Sequence, residues 1–190
     1  MLTMGLIVEG EDDKLSYEIF LRKIKPGLEI ETLLLHGCDK KKLEERFKIL
    51  NKKLQNSNYS GVEKGLIICD CDEKCAPERA DFIKKTLDLT NAYHNNNKIN
   101  IHATCKELET LFLTCIEDVK IINERSVNFK RIKNIGSIPD HKKHLSELLY
   151  KENITYGKKV AEEIASQINV ETLKERLKNF DRLYQIINNL

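Results

Sequence analysis

Residues 65–72 read Gly65-Leu66-Ile67-Ile68-Cys69-Asp70-Cys71-Asp72, a short apolar run that ends in two acids. A continuous apolar run of this length is typical of a strand buried on both faces, as in a parallel sheet. Side chains at positions i and i+2 of an extended chain point the same way. Asp70 and Asp72 are therefore predicted to face one hard cation, because Mg²⁺ takes oxygen ligands of this kind.

A second apolar run has the same design near the start of the chain. Residues 4–8, Met-Gly-Leu-Ile-Val, are followed by Glu9, Gly10, Glu11, Asp12 and Asp13. Ligands of open α/β sheets bind at the carboxyl ends of the strands. Neighbouring strands would therefore bring Glu9 close to the acids after residue 69. The alternative is that the acidic pairs at 12–13 and 70–72 only cap the helices that follow them.

The order of the patterns predicts an α/β fold. We expect four parallel strands near residues 4–8, 30–35, 66–70 and 99–103, with right-handed crossovers and helices on the faces of the sheet. Helical spacing of apolar residues predicts helices over 15–24, 38–54, 77–89, 107–116, 141–150, 158–168, 170–177 and 180–190. Residues 118–140 lack a clear period and are predicted to form a loop or short elements. An α/β domain over 1–117 would then carry a helical C-terminal extension, 118–190, packed on it.

Composition favours an ordinary globular chain. Apolar residues make up 41% and charged residues 33%, with a formal net charge of +2. The sequence has no apolar run of about 18 residues, so we expect no membrane span and a cytoplasmic location. The spacing of Cys69, Cys71 and Cys75 lacks the paired C-x₂-C knuckles of a structural zinc site, which favours thiols at a strand end over zinc ligands.

The two acidic motifs together resemble the Toprim family. Toprim domains occur in topoisomerases, bacterial primases, a small ribonuclease that matures ribosomal RNA, and the overcoming-lysogenisation-defect nucleases. Their signature is a Glu after the first strand, often in V-E-G-x-x-D, and a D-x-D after the third. Here the signature reads Val-Glu-Gly-Glu-Asp-Asp at 8–13 and Asp-Cys-Asp at 70–72. The resemblance covers roughly residues 4–103, and the sequence around Glu9 is closest to that of the ribonuclease and the lysogenisation-defect nucleases.

The resemblance implies a four-stranded parallel sheet and Mg²⁺- or Mn²⁺-dependent phosphodiester chemistry. Asp70 and Asp72 would hold the metal, Glu9 would hold it or act as a general acid or base, and Asp13 would serve a second metal. The C-terminal half resembles a group of small standalone Toprim-like proteins, in Tyr156-Gly157-Lys158-Lys159 and in residues 180–183. In that group an acid follows the fourth strand, and Glu109 matches it better than Glu107.

Nucleic acid, DNA or RNA, is the partner that this chemistry implies. Residues 129–133, Phe-Lys-Arg-Ile-Lys, interleave cations with apolar residues, so Lys130, Arg131 and Lys133 are candidate phosphate contacts, together with Lys158. The leading hypothesis is a metal-dependent nuclease in nucleic-acid processing or defence. The alternatives are a Toprim-derived module that binds nucleic acid without cleaving it, and a doubly wound domain for a nucleotide or phosphorylated partner. No phosphate-binding glycine motif follows any predicted strand, which argues against the last.

Overall fold

The computed structural model describes residues 2–36, 40–71, 76–88, 98–104 and 106–190. Its strands and helices are β1 (Thr3–Val8), α1 (Glu11–Ile24), β2 (Glu29–Leu34), α2 (Lys40–Gln55), α3 (Ser57–Ser60), β3 (Val62–Asp70), α4 (Ala76–Asp88), β4 (Ile99–Thr104), α5 (Leu108–Thr114), β5 (Ile121–Ile122), β6 (Arg125–Ser126), α6 (His141–Lys151), α7 (Lys158–Gln167), α8 (Val170–Arg176) and α9 (Lys178–Asn188).

The sheet has four parallel strands in the order β2-β1-β3-β4. This confirms the predicted α/β fold and the adjacency of the first and third strands that the sequence left as an assumption. Ile7 of β1 lies opposite Ile67 of β3, so both strands end at the same edge of the sheet. β3 begins at Val62, earlier than predicted. Its first residues include the polar Glu63 and Lys64, so they are not part of the apolar run on which the prediction was based.

Helices cover both faces of the sheet, as the apolar runs of β1 and β3 require. α2 and α4 lie on one face, over a core that includes Ile7 and Ile67. Gly5 and Gly65 lie opposite each other in neighbouring strands, and a Cβ atom added to either would press on Leu50 of α2. Glycine at these two positions therefore lets α2 approach the sheet closely.

The other face carries α1, α5 and the C-terminal helices. Phe20 of α1 contacts Phe112 of α5 and Phe180 of α9, with ring centroids 6.4 and 5.8 Å away. Lys23 of α1 donates hydrogen bonds from Nζ to three carbonyl oxygens at the end of α7, those of residues 165, 166 and 168. The helical C-terminal part thus shares one continuous core with the sheet. A domain boundary after residue 117 stays a prediction.

Local differences from the predicted elements have simple causes. α1 begins at Glu11 rather than at residue 15, because its first turn is acidic and suits the positive end of the helix dipole. The predicted loop 118–140 contains the β5–β6 hairpin, a 3₁₀ turn at Ile135–Ser137 and the end of another at Ile116–Asp118. The polar segment between α2 and β3 contains the one-turn helix α3. Residues 38–39 and 89 of the predicted helices lie outside the described residues.

Helices of the described residues are all too short or too polar to cross a membrane.

Candidate functional site

An acidic cleft of about 380 Å³ opens where β1 and β3 end. Its lining comes from the turn after β1, the start of α1, the end of β3, the start of α5 and the start of α6. The lining residues are Glu9, Gly10, Glu11, Asp12, Asp13, Asp70, Glu107, Leu108, Glu109 and Lys142. Seven of these residues carry a carboxyl group and one carries a positive charge, so the cleft attracts cations.

Glu9 and Asp70 meet across the two central strands. The Glu9 Oε1 atom accepts a hydrogen bond of 3.1 Å from the backbone N–H of Asp70. This contact holds the Glu9 side chain over the last residue of β3. The predicted proximity of these two acids is confirmed. Asp72, the second acid of the D-x-D motif, lies outside the described residues.

Asp13 has two roles at the start of α1. Its Oδ2 atom accepts a hydrogen bond of 2.9 Å from the Gly10 N–H, so it does close the first turn of the helix. It also lines the acidic cleft. The pKa of Asp13 is raised from 3.8 to about 7: burial is the main cause, the negative charges of Glu9, Glu109 and Asp12 add to it, and the Gly10 hydrogen bond opposes them. The capping and cation-binding interpretations of Asp13 are therefore compatible.

Glu109 and Glu107 lie at the start of α5 and have different surroundings. Glu109 is 5% exposed, and burial raises its pKa even though Lys142 Nζ lies 3.7 Å from its Oε1. Glu107 Oε1 instead accepts a hydrogen bond of 2.7 Å from the Lys142 backbone N–H and so fixes the start of α6. The charge of Glu109 is also one of those that raise the pKa of Asp13. Glu109 is therefore the better candidate for the site acid.

Two tyrosines under the cleft were missed by the sequence analysis. The Tyr17 hydroxyl is hydrogen-bonded to the Thr104 hydroxyl, and its pKa is raised by burial and then by the charges of Asp70, Asp13 and Glu109. Tyr156 is similar: burial and the charge of Glu109 raise its pKa. The i, i+4 spacing of Asp13 and Tyr17 on α1 is a signal that could have identified the first. The second depends on how α7 docks.

The acids of the cleft offer only carboxylate oxygens as ligands, and hard divalent cations such as Mg²⁺ prefer oxygen ligands. Among the described residues, however, no three or more His, Cys, Asp or Glu side chains are grouped so that they could hold a metal ion. A complete ligand set would therefore need a residue such as Asp72 or a rearrangement of side chains. Cys69 and Cys71 are buried, and Cys71 Sγ accepts a hydrogen bond from the Lys106 N–H, while Cys75 lies outside the described residues.

The residues predicted to contact nucleic acid do not lie together. Arg131 and Lys133 line a separate cleft of about 520 Å³ next to Arg176, whose guanidinium pairs with Glu117. Lys130 is exposed in the same segment, outside that lining. Lys158 pairs at 3.3 Å with Glu11, a residue of the acidic cleft, so it lies at the rim of that cleft instead.

Comparison with known proteins adds no relative. The chain matches no family model, no curated protein and no solved structure. Resemblance to Toprim domains therefore rests on the two acidic motifs and on the strands that precede them.

Proposed function

We propose that this protein is a Mg²⁺- or Mn²⁺-dependent nuclease of the Toprim type that cleaves phosphodiester bonds in DNA or RNA. The observation that carries the proposal is the acidic cleft at the carboxyl ends of β1 and β3. Its carboxylates come from three separate stretches of the chain, at 9–13, at 70 and at 107–109, and Asp13 and Glu109 among them have raised pKa values. Clustered acids that resist ionisation are stabilised by a bound cation.

The proposal assigns the cation to five acids and a second role to one of them. Asp70 and Glu9 would hold the cation, together with Asp72 and with Asp13 and Glu109 on the facing wall. A divalent cation there would neutralise negative charge on the phosphate oxygens of the substrate. Glu9 is also the candidate general acid or base, because its hydrogen bond to the backbone of β3 keeps its carboxyl group at one place in the cleft.

The charge distribution is consistent with a polyanionic substrate. A net charge of +2 in a chain with so acidic a cleft means that the cations lie elsewhere on the surface. Exposed Lys130, Arg131 and Lys133 are part of that excess, and alternate with the inward-facing Phe129 and Ile132. Cations arranged in this way can neutralise backbone phosphates whatever the base sequence.

A second candidate is a Toprim-derived module that binds nucleic acid without cleaving it. The incomplete ligand set among the described residues favours this alternative. It would keep the substrate contacts and lack turnover.

A cleavage assay on purified protein separates the two candidates. The protein is incubated with Mg²⁺ or Mn²⁺ and a panel of single-stranded and duplex DNA and RNA, and compared with Glu9→Gln. The matched control is Glu45→Gln, the same change at an exposed position of α2. We expect metal-dependent cleavage that Glu9→Gln reduces by about 10²–10⁴ and the control leaves intact, since loss of general acid–base help has that cost. Retarded migration without cleavage across the panel would favour the binding module, and equal cleavage by wild type and Glu9→Gln would refute the role of Glu9.

A further inference from the structure

A basic cleft of about 240 Å³ lies at the outer edge of the sheet, between the start of α4 and the start of α9. β4 is the last strand in the sheet order, and its residues form the floor of this cleft. The lining residues are Pro77, Ala80, His102, Ala103, Lys178, Asn179 and Arg182. Two of these residues are cations and none is acidic, which is the reverse of the acidic cleft.

Hydrogen bonds hold the walls of the basic cleft in place. Asn179 Nδ2 donates a hydrogen bond of 2.9 Å to the Ala103 carbonyl oxygen, which fastens the first turn of α9 to β4. His102 is 3% exposed, and burial and then the charge of Arg182 lower its pKa to about 4. A neutral His102 leaves Lys178 and Arg182 as the charges that a ligand would meet.

The two cations of the basic cleft form no ion pair with a described residue. Lys142, Lys158 and Lys174 each form an ion pair with a carboxylate. In the part of the chain that the structure describes, neither Lys178 nor Arg182 forms one. Although Asp181 lies in the same turn of α9, the described lining of the cavity carries two cations and no acid, which raises the local concentration of anions.

The helix that carries these cations adds to the same field. Leu177 occupies the N-cap of the eleven-residue helix α9 and makes no side-chain hydrogen bond to its first turn. The first N–H groups of a helix lack partners within the helix and carry the positive end of its dipole. Lys178 and Asn179 of that turn both line the cleft.

We propose that the basic cleft binds a phosphate group, which belongs to the backbone of a nucleic-acid strand whose neighbouring part lies in the acidic cleft. That the phosphate belongs to a nucleic-acid strand rests on the proposed nuclease function. That the cleft binds a phosphate group does not. Cys69, next to Asp70, pairs with Ala103 of the basic cleft, so the two clefts lie at the same end of adjacent strands. Adjacent strands are about 4.8 Å apart, so one polynucleotide can reach both clefts.

The composition of the basic cleft favours a polymer backbone over a mononucleotide. Among the described residues, its lining has no Phe, Tyr or Trp on which a base could stack, and the imidazole of His102 is buried. Contacts made by Lys and Arg to phosphate position a strand without reading its sequence. The expected ligand is therefore the phosphate, with its base left outside.

Binding without turnover tests this proposal. In a Glu9→Gln background with EDTA present, fluorescence anisotropy of a labelled single-stranded oligonucleotide is measured over a salt series. The test variant combines Lys178→Ala with Arg182→Ala, and the control combines Lys41→Ala with Lys48→Ala, which removes the same charge from exposed positions of α2. We expect roughly five- to tenfold weaker binding for the test variant alone. The slope of log K against log salt should fall by about 0.7, the value for one phosphate contact on a single strand.

Two further arms identify the source of the phosphate. Inorganic phosphate and a nucleoside monophosphate are titrated by NMR into the same variants, and Arg182→Lys, which keeps the charge, should retain oligonucleotide binding. If the test variant loses mononucleotide binding but binds the oligonucleotide as before, the cleft binds a small phosphorylated ligand. That result would overturn the proposal that a nucleic-acid strand occupies it. Equal binding by test and control variants for all three probes, or no binding by the parent protein, would overturn the site. Since no metal or cleavage is involved, either result is independent of whether the protein is a nuclease.

Discussion

The acidic and basic clefts lie at the same end of one sheet, and each contains a titratable side chain whose pKa is changed by burial. In each cleft burial favours the neutral form of a titratable group: it raises the pKa of Asp13 to about 7 and lowers that of His102 to about 4. The clefts differ in where their charges come from. Glu9 and Asp70 stand at the ends of their strands, whereas the cations Lys178 and Arg182 lie on a helix far along the chain. The ends of the central strands therefore contribute acids to the acidic cleft, and the packing of a C-terminal helix against β4 contributes the cations of the basic cleft.

Metal binding is the test with the largest expected effect on this contrast. Combining Asp70→Asn with Asp13→Asn removes two charged oxygen ligands while keeping the side-chain shapes. We expect the affinity for Mn²⁺ to fall roughly a hundredfold or more, since perturbing a metal site costs about 10–100-fold for each supporting group. The double variant Lys178→Ala with Arg182→Ala should stay within about twofold of wild type, because its charges belong to the basic cleft. Isothermal titration calorimetry measures both, and unchanged Mn²⁺ binding in the Asn variant would remove the metal site from the acidic cleft.

Acid should destabilise the protein through His102. Its folded pKa of about 4 lies below the value of 6.5 expected when unfolded, so the unfolded chain binds the proton more readily. The stability contributed by neutral His102 is present above pH 6.5 and is lost as the pH falls through 6.5 towards 4. We expect this loss to be about 3 kcal/mol at pH 4, since each pH unit between the two pKa values contributes about 1.4 kcal/mol.

The variant His102→Gln keeps a polar side chain that does not titrate. Urea denaturation of wild type and variant at pH 7 and pH 4 isolates the histidine, because the acids that also titrate in this range are common to both. A pH-dependent loss that is the same in both proteins would show that His102 does not titrate as its burial requires.

Asp13 should have the opposite pH dependence, with a smaller effect. Its folded pKa of about 7 exceeds 3.8, so the folded protein binds the proton more readily than the unfolded chain does. Its destabilising contribution is absent below pH 3.8, grows as the pH rises, and is complete above pH 7. In EDTA we expect Asp13→Asn to raise the free energy of unfolding by about 1–2 kcal/mol at pH 8 and to change it little at pH 4, after allowance for solvent screening.

The control for Asp13 is Asp12→Asn, its neighbour in the same turn. Thermal denaturation at pH 8 and pH 4 compares the two variants. Equal stabilisation by both at pH 8 would assign the effect to general repulsion in the turn and not to the burial of Asp13.

Local sequence predicted the strands and the acids that follow them. An apolar run that ends in an acid, as at Val8–Glu9 and Cys69–Asp70, needs no knowledge of distant residues, and the structure places both runs in central strands. The pairing of β1 with β3 could only be assumed, because strand order depends on how the crossover helices pack. Glu109 was found only because a resemblance pointed to an acid after β4, while its burial comes from the docking of α6.

Residues brought in by tertiary packing could not be predicted in this way. Lys142 opens α6, and in sequence it resembles any solvated lysine at a helix start. Lys178 and Arg182 likewise lie on an amphipathic helix, where cations usually mark the solvent face. Their place at the edge of β4 follows from the contact of Asn179 with Ala103, which no sequence period encodes.

The smallest predicted effect concerns Lys142, the one cation among the described residues that line the acidic cleft. Its Nζ lies 3.7 Å from Glu109 Oε1, so in the metal-free protein it neutralises part of the charge that a divalent cation would also neutralise. Two unit charges about 4 Å apart in water attract each other by about 1 kcal/mol, and the Lys142 side chain is 61% exposed, so the competition is weak.

Lys142→Met, which keeps the length of the side chain, should therefore strengthen Mn²⁺ binding by about two- to fivefold in calorimetric titration. Lys143→Met, at the neighbouring exposed position of α6, should not. A weaker Mn²⁺ affinity in Lys142→Met would mean that Lys142 supports the cation site by holding Glu109 in place, and that the two do not compete.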